Sequence, residues 1–102
     1  MLERVGGKNS VVRIIKLLIL RLQEDTDLNY NFWGWTYESH GIDIVNWCLL
    51  KIDGKDVLNI FEQYNFDRAK FLKVLKNVII NIGLKGETQK EFLDLFKIKN
   101  PK

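Results

Sequence analysis

"VVRIIKLLILRL", residues 11–22, is the stretch on which the fold turns. Its β-branched Val11, Val12, Ile14 and Ile15 suit a strand, but its spacing does not alternate. At 100° per residue, Val11, Ile14, Ile15, Leu18, Ile19 and Leu22 gather on one side, and Arg13, Lys16 and Arg21 fall on the other. That is the pattern of an amphipathic helix, predicted from about Ser10 to Glu24. Asn9 or Ser10 is its natural N-cap, and Gly6-Gly7 stands before it.

The same test carries outward along the chain. "EDTDLN" breaks the first helix with residues that favour caps and turns. The aromatic stretch "NYNFWGWTYESHG", residues 29–41, predicts a short helix from about Asn31 to Ser39, stopped by a left-handed Gly41. "DIVNWCLLKI" predicts a buried helix capped by Asp43 and ended at Gly54. "KDVLNIFEQY" keeps helical spacing at Val57, Leu58, Phe61 and Tyr64. Residues 67–82 are the strongest helix, and "QKEFLDLFKI", capped by Thr88, is the last. A competing reading makes "IINIGLKG" the hairpin of a wing. The helical period favours an all-α, compact single-domain bundle of about five to six short helices. Residues 1–9 are expected as a flexible lead, 10–98 as the helical domain and 99–102 as a tail.

Composition narrows function more than it defines it. Hydrophobic residues make up 46% and charged residues 28% of 102, which excludes a disordered chain. A lone cysteine, Cys48, cannot form an internal disulfide or supply an iron–sulfur cluster, so a cytoplasmic location is expected. Arg13, Lys16 and Arg21 interrupt the longest apolar run, so no membrane span is expected. Net charge is +3, distributed as two basic segments around an acidic middle: residues 25–62 hold seven acidic and two basic side chains. A polyanion would therefore meet a patch rather than a uniformly positive shell.

Catalytic constellations are thin. His40 is the only histidine, and a Ser–His–Asp set would need Ser10 or Ser39 beside it. Asp25 and Asp27 form a D-x-D pair, but in a polar turn that suits capping rather than magnesium. The glycines of "VGGKNS" lack the full phosphate-loop pattern. No metal site and no cofactor are expected, and the chain is not expected to be an enzyme by itself.

Binding chemistry is better represented. On the helix 67–82, Lys70, Lys73, Lys76, Asn77 and Asn81 share an exposed strip about 140° wide, offering donors to phosphate oxygens. The aromatic stretch holds two of the three tryptophans, Trp33 and Trp35, and two of the three tyrosines. Helical geometry pairs Phe32 with Trp35 on one face and Trp33 with Tyr37 on another, and a short peripheral helix cannot bury both. One pair is expected inside and one at least partly exposed, where a base can stack.

The order of these features resembles a known family. A helix carrying Arg and Lys leads to a polar loop with Asn29 and Asn31, then "FWGWTYESHGID", "IVNWCLL" and "KNVIINIGLKG". This is similar to the helical C-terminal domain of the archaeal and eukaryotic primase large subunit. It looks closer to the small noncatalytic accessory subunit of some archaeal primases (PriX) and to plasmid-primase helix-bundle domains. The resemblance implies a noncatalytic primase subunit that holds the initiating nucleoside triphosphate and the single-stranded template or primer end. The catalytic and large primase subunits would be its partners. Carried over by position, Asn29, Asn31, Trp33 and Trp35 would meet nucleotide and template, and Arg21, Lys73, Lys76 and Asn77 the phosphates. The large-subunit domain's four cluster cysteines are reduced here to Cys48, so no cluster is implied. Two other classes stay open: a helix-turn-helix or winged-helix regulator using residues 67–82 as recognition helix, and a protein–protein adaptor with an aromatic hot spot.

Overall fold

The computed structural model describes residues 1–97. Five α-helices occur among them: α1 (Leu2–Val5), α2 (Gly7–Glu24), α3 (Ile42–Ile52), α4 (Arg68–Ile82) and α5 (Gly86–Phe96). A 3₁₀ turn, Asn29–Phe32, and a π turn, Tyr37–Gly41, lie between α2 and α3. No strand occurs among the described residues, so the all-α class holds and "IINIGLKG" forms no wing hairpin.

The long second helix is the hub. α1, α3, α4 and both turns pack on it, which the stripe read from residues 11–22 requires. Val11, Ile14, Ile15 and Leu18 are completely buried. Burial of each contributes about 1.5–3 kcal/mol. The helix starts three residues earlier than expected, and the supposed flexible lead is ordered as α1, whose Val5 is buried in the core. Gly6 makes this break possible: its φ of 109° ends α1 in a left-handed cap that few L residues adopt. The expected tail, 99–102, and residue 98 lie outside the described residues.

α4 follows its sequence signals closely. Asp67 caps it by accepting the Lys70 N–H, and Gly83, at φ 112°, closes it by donating to the Ile79 and Ile80 carbonyls. α5, in contrast, begins at Gly86 rather than at a Thr88 cap, and Thr88 is buried in its first turn.

Further expectations fail. Residues 55–64 keep helical spacing but form no helix. Asn59 competes for the backbone: its Oδ1 accepts the Phe61 N–H and its Nδ2 donates to the Phe96 carbonyl. Trp47 Nε1 takes the Leu58 carbonyl at 2.8 Å. The aromatic stretch is not one short α-helix but the two tight turns. Finally, Gly41 is no left-handed cap and Asp43 no N-cap, because the π turn runs straight into α3 and Gly41 has φ −64°. Thr36 and Ser39 form the capping box instead. Glycine is needed at 41 for space: an added Cβ would come within 2.5 Å of the Tyr37 ring.

Cys48 is fully buried on α3, and burial pushes its thiol well above the usual thiol range. It should resist a thiol-specific chromogenic reagent in the native protein and react at once in denaturant. Rapid native labelling would show that α3 opens locally rather than with the whole core.

Candidate nucleic-acid interface

The end of α2 sets the aromatic surface. Asp25 leaves the helix in an extended conformation, and its carbonyl accepts the N–H groups of Leu28 and Asn29. The chain then tightens into the 3₁₀ turn, in which residues three apart align. Tyr30 and Trp33 therefore emerge together, 89% and 83% exposed. Gly34, at φ 81°, turns the backbone so that Trp35 points inward.

Phe32 and Trp35 are the buried pair, in edge-to-face contact at 4.9 Å. Trp35 also stacks on His40 at 3.9 Å and is only 9% exposed. Gln23 fastens the turn from beneath, donating to the Phe32 and Trp35 carbonyls. Trp33 belongs to the exposed partner pair as expected, while Tyr37 is half-buried under Lys16, whose Nζ lies 4.9 Å from the ring centroid. Thr26, Asn29, Tyr30 and Trp33 line an open depression of about 670 Å³.

Sequence reasoning missed Tyr30 and Gln23. Tyr30 stood before the helix expected from about Asn31, so it was not paired with Trp33; a turn begun at Asn29 aligns the two.

A second groove, of about 410 Å³, lies between α2 and α4. Arg21, Asn77 and Asn81 line it together with Glu24 and Asp25. It adjoins the aromatic depression at the Asp25–Thr26 junction. Arg21 shares its charge with Glu24 at 3.8 Å, an exposed pair of small energetic weight. Lys73 and Lys76 are exposed on α4, with Lys73 one turn before Asn77, and make no ion pair among the described residues.

Three expected contributors have other work. Asn31 donates to the Asn65 carbonyl at 3.1 Å, pinning the turn to the segment before α4. Lys70 reaches Asp27 at 3.2 Å and Asp25 at 3.7 Å. The D-x-D pair is thus a turn, Asp25 Oδ1 accepting the Asp27 N–H at 2.8 Å, with lysine as its counter-charge. Trp35, carried over with the contact residues, is a core residue whose ring faces are covered by the protein.

The hydrogen bond to Asp27 and the fields of both aspartates hold the Lys70 ammonium above the usual lysine range. A raised folded-state value stabilises at pH below the unfolded lysine value and is lost as pH rises through the folded one. Lys70→Gln should therefore lower stability at neutral pH, with the gap to the parent closing in strong alkali. Urea denaturation at pH 7 and above pH 11 measures this; a gap constant across that range would mean the three groups do not interact.

Ser39 does stand beside His40, with Oγ 2.8 Å from Nδ1, but its hydroxyl is engaged in the capping box with Thr36. Among the described residues no group of three or more His, Cys, Asp or Glu side chains is placed to hold a metal ion, and no helix is long and apolar enough to cross a membrane. Comparison with protein families, with curated proteins and with solved structures finds no match to this chain.

Proposed function

We propose that this chain is a noncatalytic nucleotide- and single-strand-binding module that serves a partner primase. The observation that carries the reading is the alignment of Tyr30 and Trp33 as an exposed aromatic pair over a depression that also holds Asn29. Stacking on such a pair tolerates any base and contributes about 1–3 kcal/mol per base. Arg21, Asn77 and Lys73 supply donors to the flanking phosphates. Holding an initiating nucleotide or a primer end here raises its effective concentration at a neighbouring active site, and the bond-making falls to the partner. The primase context rests on the resemblance in residue pattern between Ser10 and Gly86 and on the all-α class.

Tryptophan fluorescence, followed while a short single strand, a duplex and a nucleoside triphosphate are added at two salt concentrations, tests the proposal. Quenching by single strand and triphosphate, weakened by salt, is expected. Arg21→Ala or Lys73→Ala should weaken binding and lower the salt slope by about one charge. Silence toward both ligands would end the proposal.

One observation favours a second reading. Glu24 and Asp25 line the α2–α4 groove, next in sequence to Thr26 of the aromatic depression, and carboxylates close to exposed rings also suit a basic peptide. Quenching by an oligolysine–tyrosine peptide but not by DNA would choose the adaptor. A helix-turn-helix regulator has less behind it, since residues 55–64, which would precede the recognition helix, are not helical.

A further inference from the structure

A separate groove, of about 370 Å³, lies where the first half of α2 meets the α4–α5 turn. Arg4, Ser10, Arg13, Lys85 and Thr88 line it. Neither the aromatic pair nor Arg21 belongs to it. Ser10 comes from "VGGKNS", the glycine-rich run whose first helical turn the proposed function leaves unused.

Its chemistry is that of an anion site. α5 starts at Gly86 behind Lys85, whose side chain makes no cap, so the first-turn N–H groups lack a side-chain acceptor. Ser10 and Thr88 are 6% and 8% exposed, and neither hydroxyl has a hydrogen-bond partner among the described residues. Neither oxygen is sealed off; both open to the groove they line. Water reaching the groove can satisfy both hydroxyls, and a hydrogen-bonding guest that displaced it would find two donors already placed.

The charges agree. Arg13 and Lys85 make no ion pair among the described residues, whereas Arg4 is engaged with Glu91 at 2.7 Å. Glu87, exposed in the first turn of α5, is the opposing carboxylate nearby. Ile82, Gly83 and Leu84, at the end of α4, also line the groove, and of their carbonyls Leu84's accepts from Gln89 at 3.2 Å. A tetrahedral oxyanion is the guest that uses N–H, hydroxyl and guanidinium donors at once.

We infer that this groove is a second binding site, for a phosphate group, assembled by Arg13, Lys85, the Ser10 and Thr88 hydroxyls and the N-terminus of α5. Its source is either a free phosphate or pyrophosphate or the terminal phosphate of a strand.

The test is a ¹H–¹⁵N titration of the full chain with pyrophosphate, then with oligonucleotides bearing a 5′-phosphate or a 5′-hydroxyl. Pyrophosphate should shift the Gly86, Glu87 and Thr88 amides. Arg13→Gln and Lys85→Gln should each weaken this about tenfold. Thr88→Val, which keeps the side-chain shape, should weaken it a few-fold, and Arg4→Gln much less. Shifts with the 5′-phosphorylated strand but not its 5′-hydroxyl counterpart assign the site to a strand end; shifts with pyrophosphate alone assign it to a free anion. Amides that stay still with every probe, or Arg13→Gln and Lys85→Gln variants that bind as the parent does, overturn the inference. No tryptophan lines this groove, so tryptophan fluorescence reports the aromatic surface independently and the two sites fail separately.

Discussion

Phe61→Ala should lower the melting temperature by roughly 15–30 °C, a large loss for a truncation outside the helices. Phe61 is 1% exposed although it sits in a segment without regular structure. Its ring lies 4.8 Å from Phe71, 5.9 Å from Phe96 and 6.3 Å from Trp47, joining α4, α5 and α3 at one point. Removing a buried phenyl group costs about 3–5 kcal/mol, against a total stability of about 5–15 kcal/mol for a domain of this size. The neighbouring rings are held by separate helices and cannot all collapse into the cavity. Leu58→Ala, three residues away and 84% exposed, should change stability by under about 0.5 kcal/mol. Melting curves by circular dichroism compare the two. A drop of only a few degrees for Phe61→Ala would mean that residues 55–67 do not close the core.

The contrast between α4 and the segment before it shows what the residues could tell in advance. Both carry apolar residues at helical spacing. In α4 every local signal agrees: Asp67 caps, Gly83 stops, and the lysines face outward. In residues 55–64 the period was misleading because the winning interactions are long-range. The Leu58 carbonyl is taken by Trp47, eleven positions earlier, and Asn59 reaches Phe96, thirty-seven positions later. No window of local sequence contains those partners. Gly41 failed for a related reason: its role is to make room for Tyr37 and Ile19, and only packing reveals that.

The candidate site was legible in part. Two aromatic faces on one short segment forced an inside and an outside, and Phe32 with Trp35 did go in together. Arg21 and Asn77 were separately chosen as donors and do share a groove. What stayed hidden was the set of fastenings: Gln23 under the turn, Asn31 on Asn65, and Lys70 between two aspartates. Each converts a residue type that suits a ligand into one that holds the protein to itself. Charge counting along the chain has no means of separating those two uses.

Trp33→Ala should weaken single-strand binding by about 1–3 kcal/mol, or roughly 5- to 150-fold, while leaving the melting temperature almost unchanged. Trp35→Ala, two residues on, should do the reverse first. It removes a ring packed against Phe32, His40 and Tyr64, so stability falls by about 3–5 kcal/mol. Any loss of binding would then follow unfolding of the turn. The pair makes a sharper test than either variant alone, because both delete an indole from the same five-residue span. Trp33 contributes little to the fold: its ring is exposed, and the turn is held by the Gln23 side chain and by Phe32. If Trp33→Ala leaves affinity intact in a protein that melts normally, the aromatic pair is not a stacking surface and the nucleic-acid proposal falls with it. If the variant instead melts well below the parent, Trp33 is part of the core and the inside–outside division of this segment is wrong. Loss of affinity without loss of stability is the one combination that requires a guest on the ring, and Tyr30→Ala should then reproduce it from the other side of the same depression.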